Sequence, residues 1–312
     1  MDKKIIILIS SICALILVVG ICFGIYQCNN TSAKFTINAT LPKVNGKSAK
    51  VILLAGQSNA SGCSATSYLK NNVTTEKYAE YESGYENIFI NFFSTGFNMS
   101  NGFVKTSPHC GDTINHFGPE VGLAETLHES YPNETFFIIK YTWSGTDLFS
   151  QWLSPSSEGK TGDLYSRFVR YVKQSMDYII SKGYNAKIEG MCWMQGESDS
   201  FSTENATNYE VNLKNFISDV RKDLRTYAAS DGITFVDALI ADNPVYWVYC
   251  DLVNNSKKAV AELSTNNLLI DTNEAGLVCN QEPEDNPDMA HYDSLSEILL
   301  GNLFAEYVAQ FF

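Results

Sequence analysis

Short apolar runs alternate with longer segments of helical period from residue 51 to the C-terminus. The apolar runs begin at Val51, Asn87, Phe136, Ile188, Ile233 and Asn267. They are mostly continuous rather than alternating, which is typical of strands buried on both faces of a sheet. Helical spacing of apolar residues marks 120–130, 164–181, 213–227, 257–264 and 296–310. This alternation predicts right-handed βαβ crossovers, and therefore one α/β domain over 49–312 with a mostly parallel sheet and helices on both faces.

The formal net charge of −13 argues against nucleic acid as a partner. Binding to a polyanion requires clustered lysines and arginines that displace counterions. The chain has 22 Lys and Arg against 35 Asp and Glu. No block of like charges marks an acidic tail, so we expect the excess negative charge to be spread over a solvated surface.

The first residues differ in composition from the rest of the chain. Lys3 and Lys4 precede an uncharged apolar run over 5–26. A bilayer core needs about 20 apolar residues, whereas a cleaved signal peptide has an apolar centre of roughly 7–15. The length favours an uncleaved transmembrane anchor with residues 1–4 in the cytoplasm, residues 27–48 as a stem and the domain outside the cytoplasm. The alternative is a cleaved signal peptide, which would make the protein secreted.

Three polar, glycine-containing turns follow predicted strands. The strands over 51–55, 136–143 and 188–194 end in "GQSN", "SGT" and "QGESD". Because the carboxyl ends of parallel strands meet at one edge of a sheet, where ligands bind, we expect these turns to lie together. The first turn contains Ser58, which is either a nucleophile or a serine that caps a helix.

A serine nucleophile needs a base, and His291 is the best candidate among four histidines. Asp288 stands three residues before it, and a capping box of Ser294 and Glu297 is predicted to start the last helix just behind it. An aspartate at this distance can hold the imidazole tautomer whose Nε2 accepts the serine proton. His128 is interpreted as a surface residue of a helix.

The sequence predicts no metal site and no cofactor. The loop "SPHCGDTINHFGPE" holds His109, Cys110, Asp112 and His116, but their spacing matches no strong metal-binding pattern. The segment "GPEVG" from Gly118 lacks the spacing of a dinucleotide fingerprint, and no glycine-rich phosphate loop is present.

Five motifs in order then resemble one known family. They are "LLAGQSNASG" around Ser58, "FGPEVGLAETL" from Phe117, "KYTWSGTDL" around Gly145, "CWMQGESD" around Gln195 and "DMAHYDSLSEILLG" around His291. Over residue 50 to the C-terminus the chain resembles the sialate O-acetylesterase and acetylxylan esterase group, carbohydrate esterase family six, in the SGNH hydrolase superfamily. The resemblance implies a flavodoxin-like three-layer α/β/α sandwich with a five-stranded parallel sheet.

The resemblance also implies roles for individual residues. Ser58 would attack an ester carbonyl with His291 as general base and Asp288 as helper acid. The peptide N–H groups of Ser58 and Gly145 and the side-chain amide of Gln195 would form the oxyanion hole.

Other residues of these motifs have less specific roles. Glu197 either shares the role of the helper acid or braces its loop. Substrate contacts are expected from Gln57, Asn59, Ser144, Trp152 and Tyr292. Core packing is the better interpretation of Trp193, whereas Trp152 is the more plausible platform for a sugar ring. Ser144 stands where the family more often has glycine, which bears on substrate preference.

The function expected from the sequence is therefore hydrolysis of O-acetyl groups on carbohydrate. One alternative is a glycan-binding protein without catalytic activity on the same fold, and another is an esterase for other small acyl groups. The motifs leave open whether the sugar is a sialic acid, a xylan or another polymer.

Overall fold

The computed structural model describes residues 35, 37–38, 41–95, 98–279, 282 and 286–312. The anchor expected over 5–26 and most of the expected stem lie outside these residues. Within the described part, no helix combines the length and the apolar character needed to cross a bilayer. Packing onto the domain begins before the expected boundary at residue 49, because Leu41 is buried and the N–H of Val44 donates to the carbonyl of Lys182 at 2.8 Å.

A seven-stranded sheet forms the centre of the domain, in the order β4-β3-β6-β1-β7-β8-β9. Its strands are β1 (Lys47–Gly56), β3 (Ile88–Phe93), β4 (Val104–Lys105), β6 (Phe136–Thr142), β7 (Tyr184–Met194), β8 (Thr234–Ala238) and β9 (Asn267–Ile270). A separate antiparallel pair consists of β2 (Ser64–Ala65) and β5 (His116–Phe117).

The parallel character of the sheet is as predicted, but the five-strand count is wrong. All neighbours pair in parallel except β4, which pairs antiparallel with β3 at one edge. Each of the six apolar runs in the sequence corresponds to a parallel strand. The two-residue strand β4 is too short to show a period. Every residue of β6 is buried, so both faces of the sheet are covered at its centre.

Helices cover the sheet. They are α1 (Ser58–Ser61), α2 (Thr66–Asn72), α3 (Thr75–Ser83), α4 (Glu120–Ser130), α5 (Asp163–Ser181), α6 (Thr203–Asp223), α7 (Cys250–Ala261) and α8 (Ser294–Val308), with 3₁₀ turns at Asp199–Phe201 and Ala309–Phe311. α4 packs against α8, and α6 packs against α7. The helices read from the sequence are present, whereas the short α1, α2 and α3 were not predicted.

The start of α8 corrects the predicted capping box. Asp293 is the N-cap and accepts from the N–H of Ser296 at 2.8 Å. Ser294 is the first helical residue, and its hydroxyl donates to Glu282 instead. Glu297 is fully buried and neither of its oxygens has a hydrogen-bond partner among the described residues, so it does not cap the helix. Burial raises the pKa of Glu297 well above its ordinary value.

The topology places the predicted turns beside one another. β1 lies between β6 and β7, so the chain leaves the sheet at the ends of three adjacent parallel strands. Their registers align Gly56 with Thr142 on one side and with Met194 on the other. The order of strands reverses at β1, and ligands bind at such a switch point in open α/β sheets.

Candidate active site

Ser58 is held at the C-terminal end of β1. Gly56 has φ +142°, and a Cβ there would lie 1.9 Å from the carbonyl oxygen of Met194. The N–H of Gln57 donates to that same oxygen at 2.9 Å, so β7 fixes the turn through its backbone. Gln57 is the N-cap of α1 and Ser58 is its first residue. Helix capping therefore does not account for the serine.

His291 bonds to Asp288 as the sequence predicts. The distance from His291 Nδ1 to Asp288 Oδ2 is 2.7 Å, and Asp288 Oδ1 accepts from the N–H of Ala290 at 3.0 Å. Partial burial disfavours the charged imidazole, but the hydrogen bond and the negative charge of Asp288 outweigh this effect and raise the pKa of His291 above its ordinary value. The Nδ1 contact leaves Nε2 as the atom that can accept a proton.

The histidine loop is fastened to the serine turn at the next residue. The N–H of Tyr292 donates to Asn59 Oδ1 at 3.1 Å, and the Tyr292 carbonyl accepts from Ser64 Oγ at 2.6 Å. Asn59 follows Ser58 directly, so these bonds bring residues that are more than two hundred positions apart into one site. Backbone contacts as well as side-chain contacts therefore fix the mutual arrangement of the two loops.

Glu197 forms a hydrogen bond with Asn59. Its Oε1 accepts from Asn59 Nδ2 at 2.9 Å, whereas its Oε2 is enclosed without a partner among the described residues. Burial raises the pKa of Glu197. Asn59 therefore connects Glu197 to the loop of Tyr292, and the bracing role proposed for Glu197 has a physical basis. Among the described residues, Glu197 makes no hydrogen bond to His291.

Two of the three predicted oxyanion donors are free to donate to a ligand. The N–H groups of Ser58 and Gly145 donate to no group in the described chain. Gly145 has φ +68°, a left-handed conformation that glycine adopts without strain, at the turn after β6.

The third predicted donor, Gln195, is already engaged. Its Nε2 donates to the carbonyl of Thr146 at 2.9 Å and to Asp199 Oδ2 at 2.6 Å, and its Oε1 accepts from Tyr209 Oη. The role of Gln195 stays a prediction that requires one of these bonds to open. Gln57 Oε1 accepts from Gln195 Nε2 at 3.4 Å and from the N–H of Ser198 at 3.2 Å, and Gln57 Nε2 has no partner in the described chain.

A buried ion pair that was not predicted from the sequence contacts the turn that contains Ser58. Lys140 Nζ donates to Glu120 Oε2 at 2.6 Å, to the carbonyl of Ser61 at 2.8 Å and to the carbonyl of Cys110 at 2.9 Å. Both charged side chains are fully buried. The sequence did contain a signal for this ion pair: a lysine stands inside the apolar strand "FFIIKYTW". A lysine buried in such a strand requires a partner of opposite charge.

The contacts of Asp112 were also not predicted from the sequence. Its Oδ2 accepts from Ser144 Oγ at 2.9 Å and from Cys63 Sγ at 3.3 Å. Cys63 Sγ also lies 3.8 Å from the carbonyl oxygen of Ser58. Asp112 thus lies between the turn of Ser58 and the turn of Gly145.

The predicted sugar platform is wrong for Trp152. The side chain is fully buried, its Nε1 donates to Thr146 Oγ1 at 2.9 Å, and its ring packs edge-on against Trp193. Tyr292 is also buried, so its ring offers no surface for stacking, although its backbone holds Asn59. Both rings belong to the core rather than to a sugar-binding surface.

The two histidines of the loop at 106–116 each form a hydrogen bond with a protein side chain. His109 Nε2 contacts Glu82 at 3.0 Å, and His116 Nδ1 contacts Thr113 Oγ1 at 2.8 Å. In the described chain, three possible ligand atoms come within 4.8 Å of one another at Asp242, Cys250 and Asp251, away from these histidines in sequence.

Comparison with known protein families identifies one match. Residues 48–310 match the model of a family described as carbohydrate esterase, sialic acid-specific acetylesterase. No curated protein matches the chain.

Solved structures show the same fold at low sequence identity. NanS is 14% identical, with a TM-score of 0.64 over 86% of this chain and 98% of its own. A protein from Arabidopsis thaliana is 19% identical, with a TM-score of 0.58 over 84% of this chain and 98% of its own. A carbohydrate acetylesterase from Xanthomonas citri is 15% identical, with a TM-score of 0.57 over 83% of this chain and 56% of its own.

Proposed function

Because the chain belongs to the carbohydrate esterase, sialic acid-specific acetylesterase family, and is thus a carboxylic ester hydrolase, we propose that it removes acetyl groups from sugars through an acyl-enzyme on Ser58. The observation that carries the proposal is the fastening of the Asp288–His291 pair to the serine turn. That fastening consists of the bond from the Tyr292 N–H to Asn59. This link supports the assignment of Ser58 as nucleophile, His291 as base and Asp288 as orienting acid.

In the first half-reaction, Ser58 Oγ attacks the acetyl carbonyl while His291 Nε2 takes the hydroxyl proton. The carbonyl oxygen becomes an anion, which the free N–H groups of Ser58 and Gly145 would stabilise. Removing one such donor typically costs about 3–4 kcal/mol of transition-state stabilisation. The bond between the acetyl carbon and the sugar oxygen then breaks, and His291 gives its proton to the departing sugar oxygen, which leaves as a hydroxyl.

In the second half-reaction, water replaces the sugar. His291 Nε2 takes a proton from water as its oxygen attacks the acetyl group on Ser58. The tetrahedral intermediate collapses, acetate leaves, and the proton returns to Ser58 Oγ. Asp288 stabilises the imidazolium in both halves through the bond at Nδ1, without itself becoming protonated.

The direct test compares wild type with Ser58→Ala. We expect wild type to hydrolyse p-nitrophenyl acetate and to release acetate from acetylated sugars, with the variant slower by about a thousandfold or more. Equal activity of the two proteins would refute the serine mechanism. Saccharide binding without any hydrolysis by wild type would favour the glycan-binding alternative.

We also propose that the domain works outside the cytoplasm, tethered by residues 5–26. The support is the sequence alone: two lysines before an uncharged apolar run. Protease treatment of intact cells should digest the domain. Complete protection would refute this orientation.

A further inference from the structure

The two free N–H donors lie on separate turns, one after β1 and one after β6. The last backbone hydrogen bond between these strands runs from the N–H of Trp143 to the carbonyl of Gly56 at 3.0 Å. Beyond it, no backbone hydrogen bond joins residues 57–63 to residues 144–147 in the part of the chain that the structure describes. Two donors serve one oxyanion only when their distance and direction are fixed, so side chains must hold the turns together.

The carboxylate of Asp112 connects the two turns. Its Oδ2 accepts from Ser144 Oγ at 2.9 Å, and Ser144 directly precedes Gly145. The same oxygen accepts from Cys63 Sγ at 3.3 Å, and the N–H of Asp112 donates to the carbonyl of Gly62 at 2.9 Å. Burial raises the pKa of the Cys63 thiol well above its ordinary value, so the thiol stays protonated and able to donate. One residue is therefore bonded to both segments that carry oxyanion donors.

The backbone that carries Asp112 is itself fixed. The N–H of Gly111 donates to the carbonyl of His116 at 2.9 Å, and a Cβ at Gly111 would lie 2.5 Å from the carbonyl carbon of His116. The carbonyl of Cys110 accepts from the buried Lys140 at 2.9 Å. The side chain thus extends from a tightly packed segment, and its Oδ2 has little freedom to move away from its two donors.

Among the described residues, Gln195 is the other side chain that bonds to both segments, and one of its contacts is long. Gln195 Nε2 donates to the carbonyl of Thr146 at 2.9 Å, but its distance to Gln57 Oε1 is 3.4 Å. The same nitrogen also donates to Asp199 Oδ2. Asp112 is bonded to the serine segment twice, through its carboxylate and through its N–H, so it is the stronger connection.

We propose that Asp112 is a positioning residue that holds the turn of Gly145 against the turn of Ser58, so that both free N–H groups converge on one oxyanion. The inference rests on the proposed function, because it assigns a support to the oxyanion hole of that reaction. Asp112 contributes through its hydrogen bonds rather than its charge, since a carboxylate close to a developing anion is electrostatically unfavourable. Without these bonds the donors would separate, and a displacement of about 1 Å can cost about a hundredfold in rate.

The first test measures kcat and KM for p-nitrophenyl acetate in variants of Asp112. Asp112→Ala should lower kcat by about 10–100-fold with KM within about twofold of wild type, because the donors act on the transition state. Asp112→Asn should keep kcat within about fivefold of wild type, because its amide oxygen can still accept from both donors. Its NH₂ group would take the place of Oδ1, which has no hydrogen-bond partner among the described residues. The control Asp231→Ala changes an exposed aspartate before the N-terminal end of β8 and should match wild type.

Ser144→Ala tests the route by which Asp112 acts. Ser144 is half-buried, so this variant is expected to fold even if Asp112→Ala does not. It should lower kcat by about fivefold or more. The double variant should be no slower than Asp112→Ala alone, because the second substitution removes a bond that is already lost. Losses that multiply in the double variant would show that the two residues act independently and would contradict the proposal.

A thionoester separates oxyanion stabilisation from a general loss of structure. In 4-nitrophenyl thionoacetate, sulfur replaces the carbonyl oxygen and accepts hydrogen bonds only weakly. The two N–H donors therefore assist the ester more than the thionoester. The ratio of kcat/KM for the ester to that for the thionoester should fall by about fivefold or more in Asp112→Ala and in Ser144→Ala. It should stay at the wild-type value in Asp231→Ala.

Three results would overturn the inference while the proposed function stands. The first is Ser58-dependent hydrolysis that Asp112→Ala and Ser144→Ala leave within about twofold of wild type. The second is a lower kcat with an unchanged ratio of ester to thionoester, which would assign Asp112 to the stability of the fold. The third is a loss in Asp112→Asn as large as the loss in Asp112→Ala, which would assign the effect to charge. Absence of any Ser58-dependent acetate release would overturn the proposed function itself.

Discussion

Replacing Asp288 by asparagine tests how the base is held. The variant keeps the size of the side chain but removes the charge that accepts from His291 Nδ1 at 2.7 Å. A charge-assisted hydrogen bond contributes about 1.5–3 kcal/mol. Asp288 is 45% exposed and His291 is 26% exposed, so solvent screening favours the lower end of that range. Loss of imidazolium stabilisation and of the correct tautomer should lower kcat/KM by about 10–100-fold.

The same substitution should also shift the pH profile. The base must be neutral to accept the serine proton, so activity is present above the pKa of His291 and is lost below it. Burial lowers this pKa, but the bond and charge of Asp288 outweigh burial and raise it. Without the charge the pKa falls, and the acidic limb of kcat/KM should move to lower pH.

The assay is hydrolysis of p-nitrophenyl acetate from about pH 5 to 9 by wild type, Asp288→Asn and the matched control Asp231→Asn. The control should reproduce the wild-type profile. A profile for Asp288→Asn that keeps its acidic limb and stays within twofold of wild type would contradict the role assigned to the pair.

Three further substitutions address the supports around the site. Lys140→Met leaves Glu120 buried without its partner, which should cost about 3–5 kcal/mol and lower Tm by roughly 5–15 °C in a thermal melt; an unchanged Tm would show that the pair is not structural. Asn59→Ala removes the link between Glu197 and the histidine loop, so kcat should fall by about tenfold with an unchanged circular dichroism spectrum, and an unaltered kcat would refute the link. Trp152→Phe should lower Tm without changing KM for acetylated oligosaccharides, whereas a higher KM at constant Tm would restore the platform interpretation.

Most of the sheet was predictable because each parallel strand is an apolar run. The strand residues from Val51 and from Phe136 onward are all buried, and burial on both faces makes these runs mostly apolar, with Lys140 as the charged exception. The strand β4 and the helices α1 and α2 were not predictable, because two to seven residues show too little of a period. Helix α6 begins ten residues before the predicted stripe, since its first turns are polar and the N-cap Ser202 defines its start.

The chemistry of the site was predictable where it is encoded in a short stretch of sequence. Asp288 and His291 are three residues apart, and their contact follows from a local turn. Asp112 and Ser144 are 32 residues apart, and no local pattern indicates that they meet. Trp152 was misplaced for a related reason: a tryptophan in a polar loop reads as exposed until its contact with Trp193 is known.

Isolation of the acyl-enzyme tests the central claim most directly. Wild-type protein is mixed with p-nitrophenyl acetate, quenched in acid within the first turnover and digested for mass spectrometry. The peptide containing Ser58 should carry the mass of one acetyl group, with the modification located on Ser58. Steady hydrolysis by wild type with no acetyl group on Ser58, at any quench time, would contradict the account.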